Sequence, residues 1–220
     1  MSDGPHADRH GGPHADQPIE RAGAPPAAAT AAVLMCHGRG DSASHFLRLA
    51  DEFHHHGAMY LAPEAAGRAW YPGPPDAPAE RREPWISSAF RLLDRALEIA
   101  ADAGVPRRRV VFVGFSQGAS VAAEYVATHA ERYGGLAALA GGLLGPDPAG
   151  NSCDGTLDGT PVFLGCGEDD PHVTPERIEA SAAAFRALDA DATAETYAGL
   201  GHAINDAEIA AVDELVGSVV

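Results

Sequence analysis

Short apolar runs and amphipathic stretches alternate along the whole chain. Residues 30–36, 58–63, 110–113, 136–140 and 161–166 are continuous apolar runs. Runs of this length, without polar alternation, predict strands buried on both faces. Residues 192–198 alternate enough to predict an edge strand. Between these runs the apolar positions recur at helical spacing. A helix is predicted from about 42 to 56, with Phe46, Leu47, Leu49, Ala50 and Phe53 on its apolar face and Ser42 or Asp41 as cap. A second spans 85–103, carrying Trp85, Ile86, Phe90, Leu93, Leu97 and Ile99, and Gly104 stops it. Others are predicted over 117–133, over 174–188 with Thr174 as N-cap and Pro175 behind it, and from Asp206 with Asn205 as cap. Strands alternating with helices predict an α/β fold, a mostly parallel sheet of six or seven strands with helices on both faces. Ligands in such folds sit beyond the carboxyl ends of the strands.

Two segments stand outside this pattern. Residues 1–28 are Gly, Pro, Ala and charge, with Gly-Pro-His-Ala-Asp at 4–8 and again at 12–16. Such a composition buries too little surface to offset chain entropy, so a disordered tail is expected before a domain over 29–220. His6, His10 and His14 are spaced four apart, but the intervening Pro and Gly oppose the helix that would align them for a metal. His54, His55 and His56 are adjacent, point 100° apart on a helix, and are expected at a helix end before Gly57 rather than around an ion. The second segment, 64–84, is a long loop rich in Pro, Gly and charge that carries Trp70 and Tyr71. Loops of that length in a compact domain are usually functional.

The chain has 220 residues, 45% of them hydrophobic, which suits one domain. No uninterrupted apolar run approaches the ~18 residues of a membrane span. No basic start followed by an apolar run marks a secretory signal, so a cytoplasmic location is expected. The net charge of −16 opposes nucleic-acid binding. All 15 basic residues are Arg, and an acidic, Lys-free composition suggests a halophile's protein or a GC-rich genome. Cys36, Cys153 and Cys166 are expected to be free thiols. The predicted strands of Cys36 and Cys166 lie three positions apart, roughly 14 Å at ~4.8 Å per strand.

The chemistry gathers at strand ends. Gly114-Phe115-Ser116-Gln117-Gly118 joins an apolar strand to a helix, the context in which G-x-S-x-G presents a serine nucleophile. The glycines remove Cβ atoms that would clash at a strained corner. A serine needs a base, and His202 follows the last strand and a Gly-Leu-Gly turn. The base needs an orienting carboxylate, and Asp169 or Asp170 follows the preceding strand. An oxyanion formed during acyl transfer needs two aimed N–H groups. Gln117 N–H and Arg39 N–H, in the His37-Gly38-Arg39-Gly40 loop, are the choices. The Arg39 guanidinium is left to pair with an acidic group on substrate or protein. Trp70, Tyr71, Leu143, Leu144 and Val173 are candidate walls of an acyl pocket, each equally readable as core.

His37-Gly38-x-Gly40-Asp41, Gly114-Phe115-Ser116-Gln117-Gly118, Gly167-x-x-Asp170-Pro171-x-Val173 and Gly201-His202 resemble the carboxylesterase/phospholipase group of α/β hydrolases, which includes the acyl-protein thioesterases. The resemblance spans about residues 30–215. It implies that the Asp before Pro, Asp170, is the triad member, and that no metal or organic cofactor takes part. It also implies short- to medium-chain carboxylic esters as substrates. Arg39 stands where protein-deacylating members carry an apolar residue. The Trp70-Tyr71 loop and Gly141-Gly142-Leu143-Leu144 resemble the bacterial and archaeal esterase branch more, which favours a small-ester hydrolase. Thioesterase, lysophospholipase or dienelactone-hydrolase-like activity are the alternatives, the last weakened by Ser rather than Cys at the elbow. A non-catalytic binding module is a further alternative, and a monomer or homodimer is expected.

Overall fold

The computed structural model describes residues 11–148 and 154–220. His6, His10 and Cys153 lie outside them. Seven strands form one sheet: β1 (Ile19–Gly23), β2 (Ala31–Cys36), β3 (Ala58–Pro63), β4 (Val110–Phe115), β5 (Gly135–Leu139), β6 (Pro161–Gly167) and β7 (Asp191–Tyr197). Their order is β1-β3-β2-β4-β5-β6-β7, and every pairing is parallel except β1 with β3. The expected mostly parallel sheet is therefore borne out. The register aligns Cys36 with Gly114 and Phe115 with Leu139, so the strand ends that carry the motifs share one rim.

Side-chain parity explains the continuous apolar runs. Leu34 and Phe112 face α2 (Trp85–Asp102), α3 (Gln117–Thr128) and α4 (Pro175–Ala187). Val33, Met35, Val111 and Val113 face α1 (Ala43–Phe46) and α5 (Asp206–Gly217). Both faces are covered, so neither parity can be polar. Thr174 and Asn205 cap α4 and α5 as expected, accepting from Arg177 N–H and Glu208 N–H. Cys36 and Cys166 are free and buried on β2 and β6, three strands apart. Among the described residues no helix is long and apolar enough to cross a membrane.

Two expectations need correction. The helix foreseen to about 56 is only α1, followed by a 3-10 turn over Leu47–Asp51. The Tyr60 hydroxyl replaces the helical partners that would continue it: it donates to Phe53 O at 2.9 Å and accepts from His55 N at 3.2 Å. His54, His55 and His56 thus lie beyond the helix; His54 stacks on Tyr60 and His55 bonds Asp213 at 2.8 Å. Among the described residues no group of His, Cys, Asp and Glu could hold a metal.

The expected tail is also ordered from residue 11. Ile19–Gly23 forms edge strand β1, and Arg91 and Arg95 bond the carbonyls of Gly11, Ala15 and Gln17. His14 is fully buried. Its Nε2 bonds Trp70 O at 3.0 Å, its Nδ1 accepts from Ala66 N at 3.0 Å, and its own N–H donates to the Ser88 hydroxyl at 2.8 Å. Backbone pairing and one buried imidazole hold this segment, with little apolar burial.

Candidate active site

β4 ends in a corner that only one local geometry permits. Ser116 sits at φ 54° and ψ −119°, a conformation an L-residue adopts under constraint. The constraint is visible on both sides: Ser116 N donates to Leu139 O at 2.8 Å, and Ser120 N donates to Ser116 O at 3.1 Å. A Cβ on Gly114 would lie 2.6 Å from the backbone of Ala119, and one on Gly118 would lie 2.1 Å from Cys36 O. The sequence-level reason for both glycines therefore holds in atomic terms. α3 starts at the next residue, so the Gln117 N–H has no partner within the helix and lies at its positive end.

His202 follows β7 and brings its Nε2 within 2.8 Å of Ser116 Oγ. Its Nδ1 lies 2.7 Å from Asp170 Oδ2. Asp170 Oδ1 accepts from the N–H groups of His172 at 2.8 Å and Val173 at 3.1 Å. Burial pushes the Asp170 carboxyl up, but the His202 and backbone hydrogen bonds outweigh it and hold the group below its ordinary value. A carboxylate can only accept, so the His202 proton lies on Nδ1, and Nε2 is free to take the serine proton. Asp169, the other candidate, is exposed.

The loop after β2 is fixed by His37. Its buried ring donates from Nδ1 to Gly38 O at 2.8 Å and accepts at Nε2 from Ala65 N at 3.0 Å. Gly40 N donates to Arg68 O at 2.8 Å. The Arg39 guanidinium, left open above, donates to Tyr71 O and Gly73 O, both at 2.9 Å. Gln117 spans the same loop: its Oε1 accepts from Trp70 N and its Nε2 donates to Tyr71 O, both at 2.8 Å.

A cavity of about 470 Å³ opens over Ser116. Of the expected walls, Tyr71 and Val173 line it, together with Gln117, His202 and Arg39. Ser120, His172 and the Pro74-Pro75 pair line it too, and sequence reasoning missed them. His172 was visible only as an unassigned position in the Asp170 motif. Trp70, Leu143 and Leu144 are not among the lining residues: they lie 0%, 2% and 1% exposed in the core. Trp70 braces the site from behind, its Nε1 donating to His37 O at 2.7 Å. A second cavity of similar size, between β6, β7 and α5, contains neither Ser116 nor His202.

Ser116, His202 and Asp170 thus form one hydrogen-bonded line at the carboxyl rim, open to a cavity and facing a helix N-terminus. Known proteins resemble this chain in sequence and fold. The family model for Phospholipase/Carboxylesterase matches residues 18–219. An acyl-protein thioesterase 1 of Yarrowia lipolytica is 30% identical over 164 residues, covering 66% of this chain and 71% of the relative. One of Gibberella zeae is 29% identical over 130 residues, covering 58% of this chain and 55% of the relative. The crystal structure of a phospholipase/carboxylesterase from Dyadobacter fermentans superposes with a TM-score of 0.84 at 33% identity, covering 91% of this chain and 96% of that one. The chain belongs to the phospholipase/carboxylesterase family of α/β hydrolases.

Proposed function

We propose that the protein is a serine carboxylesterase acting on short- to medium-chain esters through an acyl-enzyme. The carrying observation is the continuous hydrogen-bonded line from Ser116 Oγ through His202 to Asp170, with Ser116 held at positive φ beneath the cavity. In this reading Ser116 Oγ attacks the ester carbonyl while His202 Nε2 takes its proton. Asp170 keeps the imidazole in the receiving tautomer and stabilises it once charged. The N–H groups of Gln117 and Arg39 receive the oxyanion. His202 then hands the proton to the leaving alkoxide, and a water activated by the same ring releases the acid. Burial of Trp70, Leu143 and Leu144 supports shorter acyl chains, because these apolar side chains fill the core instead of extending a tunnel.

The acyl-protein thioesterases among the relatives keep thioester cleavage as a second reading of the same machinery. A fluorophosphonate probe and a panel of p-nitrophenyl esters with matched thioesters test both. Ser116→Ala abolishes labelling and turnover together. Continued labelling of that variant overturns the assignment, and faster turnover of every matched thioester moves the reading to a thioesterase.

A further inference from the structure

The arginines around the cavity are held by backbone carbonyls. With 31 Asp and Glu against 15 Arg, most cationic side chains have carboxylates to choose from. Arg107 and Arg186 pair with Glu131 and Glu179. Arg39, Arg82 and Arg177, like Arg91, Arg95, Arg109 and Arg132, bond backbone carbonyls. Arg39 holds Tyr71 O and Gly73 O, Arg82 holds Pro75 O and Ala77 O, and Arg177 holds Leu143 O and Gly145 O. Among the described residues none of the three has a carboxylate within 4.0 Å. Neutral carbonyls position a guanidinium without cancelling its charge.

Tyr71, on the cavity wall with Arg39, feels the charges of all three. Burial raises the Tyr71 phenol, while its bond to Ser120 and the charges of Arg39, Arg82 and Arg177 all pull the other way. Glu124, bonded to Leu144 N–H, is the acid that feels Arg82, and burial favours its neutral form. Of the three arginines Arg39 lines the cavity beside Ser116, with His172 also on the lining. Both carbonyl bonds of Arg39 use Nη2. Among the described residues no Asp or Glu lines this cavity.

We infer that the cavity selects esters bearing a carboxylate, bound against the Arg39 guanidinium on the wall shared with Tyr71. This rests on the serine esterase reading above and adds the chemistry of the substrate. Arg39 is exposed, but its two carbonyl bonds hold the guanidinium in place, so little is lost in ordering it on an anion. The long-range repulsion of the −16 chain is screened over about 8–10 Å in ordinary buffer, and the contact with exposed Arg39, being short-range, is weakened by salt without being abolished.

Monoethyl glutarate and the primary amide of the same ester are a matched pair, equal in size and differing in charge. Their kcat/KM values are measured by following ethanol release at low and at 0.5 M salt. The expected result is a preference for the carboxylate of about tenfold or more, as for a charge-assisted hydrogen bond, shrinking with salt and lost in Arg39→Gln. The ratio within one protein is the readout, so a general loss of activity in the variant does not imitate the effect. Equal rates for the pair in the unaltered protein overturn the inference and leave the esterase reading standing. So does a preference that survives Arg39→Gln, or turnover of neither ester while the fluorophosphonate still labels Ser116. Turnover of neither ester together with no labelling overturns both.

Discussion

Replacing Asp170 by Asn changes one atom, and the surroundings dictate how the new amide must sit. Oδ1 of Asp170 accepts two backbone N–H groups, from His172 and Val173, and its side chain is fully buried. An amide turned to place its NH2 toward them would forfeit both bonds in a buried site, at about 1–3 kcal/mol each. The oxygen therefore stays with the two donors, and the NH2 faces His202 Nδ1. A donor facing Nδ1 drives the imidazole proton to Nε2, where it confronts Ser116 Oγ and leaves nothing to accept the serine proton. Geometry is kept and the base is lost. A tautomer error of this kind costs about 10⁴-fold in kcat, or ~5 kcal/mol of barrier. The assay is steady-state hydrolysis of p-nitrophenyl acetate by the Asp170→Asn protein beside Asp169→Asn, whose exposed side chain lies outside the line. Asp170→Asn within tenfold of the unaltered protein, or an equal loss in Asp169→Asn, would refute the argument.

Two further predictions concern stability. A methyl group on Gly118 meets Cys36 O at 2.1 Å and His37 O at 2.4 Å, both backbone atoms that cannot move aside, whereas one on Gly201 meets nothing within 4 Å. Gly118→Ala is expected to lower Tm by at least ~6 °C or to prevent folding, and Gly201→Ala to leave it within ~2 °C, by calorimetry; the reverse ranking sinks the steric account. Glu208 is buried with Oε1 unpartnered, while Oε2 accepts Asn205 N–H at 3.0 Å. Burial raises its carboxyl to about 6, the Asn205 bond opposing and the Asp170 charge adding. The folded state then binds the proton more tightly than the unfolded one, so this group's stabilisation is complete below about pH 4.5. It is lost as pH rises to about 6, by roughly 2 kcal/mol. Asp170, held low, acts with the opposite sign, its stabilisation disappearing at more acidic pH. Glu208→Gln keeps an acceptor for Asn205 and abolishes the decline between pH 4.5 and 6; an unchanged decline points to another group.

Local chemistry was legible in the sequence wherever a residue's role depends on its immediate neighbours. Gly114 flanks a corner whose crowding comes from Ala119, five residues on, whereas Gly118 is crowded by Cys36 and His37 of the neighbouring strand end, yet the pentapeptide pattern marks both. Thr174 and Asn205 cap helices through atoms three residues on. The order Ser116, Asp170, His202 could be read because each follows a predicted strand, and parallel strands bring those ends to one rim. The pocket walls were not legible. Trp70, Leu143 and Leu144 are apolar and follow strands just as Val173 does, and which of them face a cavity depends on packing between distant segments. β1 escaped because it is an edge strand with one half-buried apolar position, Ile19, held by main-chain bonds that any sequence can make. The helix foreseen to about 56 has the right apolar spacing, but the Tyr60 hydroxyl, from a different strand, takes the groups that would have propagated it.

His14 gives the amino-terminal segment a meaning its composition conceals. The ring grips the 66–70 stretch, Trp70 N–H and Tyr71 O hold the Gln117 side chain, and Gln117 is the residue next to the nucleophile. Three steps therefore connect a region that resembles dispensable leader to the floor of the reaction chamber. Burial lowers the His14 ring's affinity for a proton, preserving the unshared pair that Ala66 N–H requires. Anyone trimming the chain to a tidier hydrolase at residue 29 would discard the peg that seats the chamber's front wall.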